Sequence, residues 1–302
     1  MIHPAPSFQT INLQDRAEFD AATAILNRPS CECSFVNLFA WKDVYRHVFT
    51  RIDGRLLVLA QSVHSLMFPF GAWFAPAELE QIRQAVAAAA GLPLVWGDVP
   101  TDYIEAHGGA LETLYQASSL EADEDYLYRT EHLAAVKGHC HQNTRRLLRH
   151  FENEAVGSRI EPLAASDAPA LLALARRLQQ EHPVAGAEQE QVAMTCALEH
   201  FEALRLEGRK LLDGQGGLLA FSVWSFVTPS VADVHFEKAV RYQPGATQAI
   251  RIGVARALLG RAEWINLEQD LGAPGLRRSK RSFCPDRMLP RHRLTPRGEA
   301  VI

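Results

Sequence analysis

Apolar and polar positions recur along the chain with two periods, and the change from one to the other marks the elements. After Asp15, Phe19, Ala22 and Ile25 follow at helical spacing, which predicts a helix capped by that aspartate. Phe35, Leu38, Phe39, Val44 and Val48 repeat the helical pattern in an aromatic-rich segment. Trp41 and Tyr45 lie one turn apart there, where packing alone accounts for them. Asp53-Gly54 between two short apolar runs predicts a hairpin. A helix over about 76–90, a strand in LPLVWGDV, a strand in DEDYLYRT and helices in EHLAAVKG and QNTRRLLRHFENE complete the first half.

The second half opens with helices over 171–180 and 188–206, followed by a glycine-turned hairpin whose strand LLAFSVWSF is apolar on nearly both faces. Such a strand belongs in the middle of a sheet. The next two strands break the rule. In VADVHFEKAV, period two puts Asp233, His235 and Glu237 on one face and Ala232, Val234 and Phe236 on the other. In WINLEQDLG, Ile265 and Leu267 oppose Asn266, Glu268 and Asp270. A helix starting near Gly245 separates them, and Arg277, Arg278 and Lys280 follow in a cationic turn. If the strands are neighbours, carboxylates, an imidazole and cations converge as a site for a charged substrate requires. Taken singly, each run also fits a half-exposed sheet with a wet outer face.

With 302 residues, 47% hydrophobic and 22% charged, the chain has a globular composition and is long enough for two cores. A boundary near Gly157 predicts units over 1–157 and 158–302. The longest apolar run, AVAAAAGLPLVW, is too short for a bilayer span of ~20 residues. The N-terminal MIHPAPSFQT has neither the basic start nor the apolar stretch of a signal peptide, so a cytoplasmic protein is expected. Net charge is −4, yet eight basic residues between Arg277 and Arg297 face only Asp286, and Lys137, Arg145, Arg146 and Arg149 form a second basic stretch. Such patches can hold phosphates of RNA or lipid, leaving peripheral membrane contact open, and they can equally be solvated surface. Five scattered cysteines do not make a disulfide framework. Cys31-x-Cys33 and His139-Cys140-His141 lack the paired spacing of structural zinc sites, so neither a metal nor another cofactor is expected.

Hairpin, strand, helix, strand, helix in the second half resembles the order of GNAT-type acyltransferases, and the first half looks like a degraded copy of it. That resemblance places a glycine-rich phosphate cradle for coenzyme A at Tyr242-Gln243-Pro244-Gly245-Ala246-Thr247, where only Gly245 is in register. The departure points to a donor other than acetyl-CoA. The segments FVNLFAWKDVY (35–45), YRTEHLAAVKG (128–138), VHFEKA (234–239) and INLEQDLGAPGLRRSKRSFCP (265–285) resemble, in order, the C-terminal domain of phosphatidylglycerol lysyltransferase and its free-standing relatives. The resemblance implies an α/β (α+β) fold of two GNAT-like subdomains packed in tandem, each a mixed sheet flanked by helices. It also implies transfer of an aminoacyl group from aminoacyl-tRNA to a hydroxyl or amine acceptor. The sequence has no counterpart of the lysyltransferase's membrane-embedded portion, and after Gly138 it has His139-Cys140-His141-Gln142-Asn143 where the free-standing relatives carry a lysine-rich run.

An aminoacyl ester is already activated, so its transfer needs placement, a proton acceptor and a donor for the oxyanion. On this reading His235, Asp270 and Arg277 are the catalytic set, with His235 shuttling a proton and Arg277 polarising the carbonyl. Glu237, Lys238, Asn266, Glu268 and Lys280 line the substrate; Glu237, Glu268 and Asp270 hold an ammonium group, and Arg277 and Lys280 bind phosphate or polarise the carbonyl. Two other readings stay open: an acyl-CoA-dependent N-acyltransferase, and a ligand-binding module without catalysis. An ion-pair network in which Glu237, Asp270 and Arg277 merely neutralise one another would produce the same sequence pattern.

Overall fold

The computed structural model of the chain describes residues 6–298. Its first elements are β1 (Gln9–Thr10), α1 (Arg16–Leu26), α2 (Phe35–Ala40), α3 (Lys42–Tyr45), β2 (His47–Ile52), β3 (Arg55–Ala60), β4 (Ser65–Met67), α4 (Pro76–Ala90), β5 (Val95–Val99), α5 (Thr101–Leu114) and β6 (Tyr115–Ser119). There follow β7 (Asp125–Arg129), α6 (Thr130–Ala135), α7 (Gln142–Glu154), β8 (Arg159–Pro162), α8 (Ala168–Glu181), α9 (Ala187–Glu199), β9 (Glu207–Leu212) and β10 (Leu218–Thr228). The chain closes with β11 (Val231–Ala239), α10 (Ala246–Leu258), β12 (Trp264–Asn266), α11 (Pro274–Arg281), β13 (Arg287–Leu289) and β14 (His292–Pro296). The Asp53-Gly54 turn has φ of 47° and 75° and joins β2 to β3 in tight register, as a two-residue hairpin demands.

The strands form two mixed sheets of the same design, flanked by helices, the tandem arrangement expected from the sequence. One runs β1-β2-β3-β4-β5-β14-β6 and the other β8-β9-β10-β11-β12-β7-β13. Each contains one parallel pair, β4 with β5 and β11 with β12, bridged by α4 and α10 respectively. The local chemistry repeats too. Asp15 accepts the Asn12 amide at 2.7 Å before α1, and Asp167 accepts the Ala164 amide at 2.9 Å before α8. Those reciprocal contacts satisfy backbone donors that a helix start leaves open.

The compact units do not divide at residue 157. One is built from the residues up to Arg28, Glu32–Glu124 and the segment from Leu289 onward; the other is Pro29–Cys31 with Asp125–Met288. The physical reason is a strand exchange. β7, which follows β6 in sequence, pairs antiparallel with β12, and β14, which follows β13, inserts between β5 and β6. Each half of the sequence thus supplies the sixth strand of the sheet formed by the other half.

In the first unit Leu57, Leu59, Leu66, Phe68, Leu79, Ile82, Trp96 and Tyr103 form the heart of the core. In the second, Trp224, Ala232, Val234, Ile265 and Tyr128 pack against Val254, Ala255 and Leu258 of α10. The Ala232/Val234 face of β11 is therefore apolar as its alternation predicts. β12 is shorter than its pattern: only Trp264–Asn266 is strand, and residues 267–273 form an irregular connection. The cationic turn is a helix, α11, begun by Pro274 at its first position, where a missing N–H costs nothing.

Candidate functional site

The parallel pair of the second unit has three rungs, Val231 with Trp264, Ala232 with Ile265 and Asp233 with Asn266. There β12 stops, while β11 continues beside β10 as far as Ala239. Carboxyl ends of parallel strands are where α/β sheets place ligands, and the polar side chains gather at this parting. The Asn266 side-chain oxygen accepts the Glu268 amide at 2.7 Å, and Glu268 takes a left-handed φ of 56°. A non-glycine residue is strained in that region. The turn carries the Glu268 carboxylate to 3.5 Å from His235 Nδ1, and an oxygen of Asp233 lies 3.5 Å from the same nitrogen. Ser225 Oγ sits 2.8 Å from the other ring nitrogen, Nε2, and fixes the ring. The side chains of Asp233 and His235 are wholly buried, whereas Glu268 is 21% exposed and forms the outward end of the cluster.

A β-bulge creates this arrangement. Trp224 pairs with Val234 and Val223 with Phe236, so His235 is the extra residue on β11. Bulges re-aim side chains, and here the bulge changes the face of everything beyond it. Asp233 pairs with Ser225 and Glu237 with Ser222; those serines are three apart on β10 and so point to opposite faces. Glu237 consequently leaves the cluster. It accepts both Nε (3.0 Å) and Nη2 (2.5 Å) of Arg251 on α10, whose guanidinium also covers the Phe283 ring at 4.3 Å. Strict alternation would have kept Glu237 beside His235. Lys238 is likewise engaged elsewhere, with Glu190 of α9 at 2.7 Å.

Asp270 and Arg277 form a second group. The buried Asp270 carboxylate accepts Arg277 Nε at 2.7 Å and Nη2 at 3.0 Å, the Tyr126 hydroxyl at 2.6 Å and the Gly272 amide at 2.8 Å. Burial alone would raise its pKa; the donors from Arg277, Tyr126 and Gly272 outweigh that and bring it down to about 2. Arg277 remains 30% exposed, so its guanidinium is held from behind and presented outward. Lys280, on the same helix, is buried, and its ammonium donates to the Gln269 carbonyl. Desolvation lowers its pKa to about 8 against the opposing field of Glu268. Asn266 donates to Asp125 at 2.8 Å and to the Pro29 carbonyl at 2.9 Å, so it is a structural tie as much as a lining residue.

Of the eight residues the sequence singles out, His235 and Glu268 meet directly, Asp270 and Arg277 are paired, and Asn266 and Lys280 brace the 266–270 connection. Glu237 and Lys238 lie in other networks. Sequence reasoning missed Ser225, Asp125 and Tyr126. Asp125 is fully buried and accepts from Asn266, from Gln269 at 2.7 Å and from the Cys31 amide at 2.8 Å. Its only signal was a carboxylate inside a strand pattern, in a segment that the linear division assigned to the other unit. Chemically, the cluster offers a partly exposed carboxylate backed by imidazole and a second carboxylate, suited to moving a proton or holding a cation. The ligand atoms of Asp233, His235 and Glu268 lie within 4.8 Å of one another, so one nitrogen and two oxygens are also spaced to take a divalent cation.

The glycine at the α10 N-terminus serves packing. Gly245 has φ 92° and is buried against α7: a Cβ there would overlap the Leu147 carbonyl oxygen and lie 2.6 Å from Phe151 Cβ. Glycine is required here for the close approach of a helix.

A family model described as "Phosphatidylglycerol lysyltransferase, C-terminal" matches residues 23–295. No curated protein is significantly similar in sequence. Among solved structures, a conserved protein of unknown function from Bacteroides thetaiotaomicron VPI-5482 superposes with a TM-score of 0.89 at 26% identity, covering 97% of this chain and 100% of that one. The C-terminal domain of a putative lysylphosphatidylglycerol synthetase from Agrobacterium fabrum follows at 0.64 and 15% identity, with 94% and 93% covered. L-PGS from Bacillus licheniformis gives 0.60 at 12% identity, with 90% and 94% covered. The last two likenesses establish the fold. No helix among the described residues is long and apolar enough to cross a membrane.

Proposed function

The chain belongs to the phosphatidylglycerol lysyltransferase C-terminal family, and from that premise we propose that it is an aminoacyltransferase moving an aminoacyl group from aminoacyl-tRNA to a hydroxyl or amine acceptor. The observation that carries this reading is the Glu268–His235–Asp233 cluster at the parting of β11 and β12. Glu268, as the exposed member, takes the proton from the attacking hydroxyl or amine. His235 is too deeply buried to meet substrate; it positions Glu268 and relays charge, with Asp233 balancing it from behind. As the acceptor oxygen or nitrogen bonds to the ester carbon, the bond to the tRNA ribose oxygen breaks, and that oxygen takes a proton back. The exposed edge of Arg277 supplies donors to the developing oxyanion, held in place by Asp270. Lys280 fixes the Gln269 carbonyl, and with it the turn that carries Glu268.

The stretch Tyr242-Gln243-Pro244-Gly245-Ala246-Thr247, with one glycine in register, supports a donor other than acetyl-CoA. The test supplies the purified chain with a pool of labelled aminoacyl-tRNAs and fractionated lipid, peptide and small-molecule acceptors. The expected result is one label passing from tRNA to an acceptor in an enzyme-dependent way. Tight coenzyme A binding by calorimetry, with no transfer from any aminoacyl-tRNA, would replace this reading with an acyl-CoA enzyme.

A further inference from the structure

A second cluster of ligating side chains lies outside the proposed reaction centre and serves no role in it. Cys140 and His141 stand just before α7, and Cys284 follows α11, more than a hundred residues on in sequence. In the folded second unit one ligand atom from each, the two sulfurs and an imidazole nitrogen, lies within 4.8 Å of the others. His141 is 4% exposed and its Nδ1 has no hydrogen-bond partner. A buried polar atom left this way is destabilising unless something binds it. None of the cysteines is in a disulfide.

The surroundings hold the ligands in place. Arg145 Nη1 donates to the Val136 and Gly138 carbonyls at 2.9 and 2.6 Å, pinning the loop before Cys140, and Thr144 donates to the Ser282 carbonyl at 3.1 Å. On the other side, the Cys284 amide donates to Arg281 at 3.0 Å, and the Asp286 amide to Leu127 at 3.0 Å. The Asp286 carboxylate accepts the Arg129 amide at 2.8 Å and sits 2.7 Å from His132 Nδ1. These contacts hold in place the two chain segments that carry the ligands.

We propose that Cys140, His141 and Cys284 bind a zinc ion that clips the start of α7 to the end of α11. Two thiolates and one imidazole form a soft donor set that suits zinc and disfavours magnesium or calcium. Tetrahedral zinc with bonds of roughly 2.0–2.3 Å places ligand atoms about 3.5 Å apart, so the present spacing closes by a small contraction. Cys140 is exposed, which gives the ion an entry path and leaves the fourth position to solvent. The two thiol protons leave as the metal binds, and their thiolates neutralise its charge. The site is independent of the transferase reading. Its consequence for that reading is that the metal anchors α11, which carries Arg277 and Lys280.

The test uses the full chain, purified in a non-chelating reductant, stripped of metal, reloaded with Zn²⁺ and dialysed before elemental analysis. The wild type is expected to retain zinc stoichiometrically, and with Co²⁺ to show thiolate-to-cobalt charge-transfer absorption. Cys140→Ser, at an exposed position where folding is not at stake, and Cys284→Ser are expected to lose both signals, while Cys196→Ser keeps them. Zinc is expected to raise the melting temperature of the wild type and not of Cys140→Ser. Wild-type protein that holds no zinc after dialysis, or serine variants that bind it as the wild type does, would overturn the proposal. Either of these results would leave the transferase reading to its own labelled-tRNA test.

Discussion

The two parallel strand pairs of this chain share a frame and differ in what they put at its end. In the second unit the third rung is Asp233 with Asn266, and the residues beyond it are Glu268 and Asp270. In the first unit the same rung is Met67 with Gly97, set among Leu66, Phe68, Trp96 and Val99. Both units have a non-glycine residue at positive φ just past the rung, Asp98 at 55° and Glu268 at 56°. Their fates are opposite. Asp98 is buried between Arg28 at 2.7 Å and Arg291 at 3.1 Å, so its charge is neutralised. Glu268 stays partly exposed, beside an imidazole and within the field of the Lys280 ammonium. One backbone plan therefore yields a core in one sheet and a reactive edge in the other, and the side chains at a few rung positions decide which.

Changes at those positions test the comparison. Glu268→Gln keeps the shape and removes the proton acceptor; transfer is expected to fall by about 10²–10⁴-fold in a protein that still folds. Met67→Asp imposes the reactive pattern on the packed sheet without partners for the charge, and denaturant unfolding should show a loss of about 3 kcal/mol. Gly245→Ala, which forces α7 away from α10, is expected to lose roughly 2 kcal/mol in the same measurement.

Two pH effects, both in the second unit, run in opposite directions. The Asp270 carboxyl is depressed in the folded protein, so its stabilisation is complete above the ordinary value of 3.8 and disappears as pH falls toward 2. Between those limits the wild type should lose about 2 kcal/mol, a loss that is absent from the stability–pH curve of Asp270→Asn. Lys280 carries the reverse burden. Its ammonium is depressed to about 8 from 10.5, so its burial costs most below pH 8 and the cost is relieved as pH rises toward 10.5. Lys280→Met should then be more stable than wild type at neutral pH by on the order of 1 kcal/mol, while losing activity as the Gln269 turn loosens.

Much of this frame was legible in the sequence, because period and turn chemistry are local. The Asp53-Gly54 hairpin, α4 and the apolar β10 all follow from short windows. The strand exchange does not: nothing in DEDYLYRT or in PRHRLTP states that each strand completes the sheet of the other half. For the same reason Asp125 and Tyr126 were invisible as neighbours of Asn266 and Asp270. Alternation located Asp233, His235 and Glu268, but a one-residue bulge at His235 moved Glu237 to the opposite face. A bulge changes periodicity without leaving a composition signal of its own. Lys238 fails for a different reason: its partner Glu190 comes from a helix that no local pattern connects to it.

The most direct measurement follows release of labelled amino acid from tRNA into acceptor under single-turnover conditions, for wild type, Glu268→Gln and Asp98→Asn side by side. Transfer is expected for the wild type, with near-complete loss in Glu268→Gln and retention in any Asp98→Asn protein that folds. Equal transfer by wild type and Glu268→Gln would contradict this expectation, because the reactive edge would then lie somewhere other than the parting of β11 and β12.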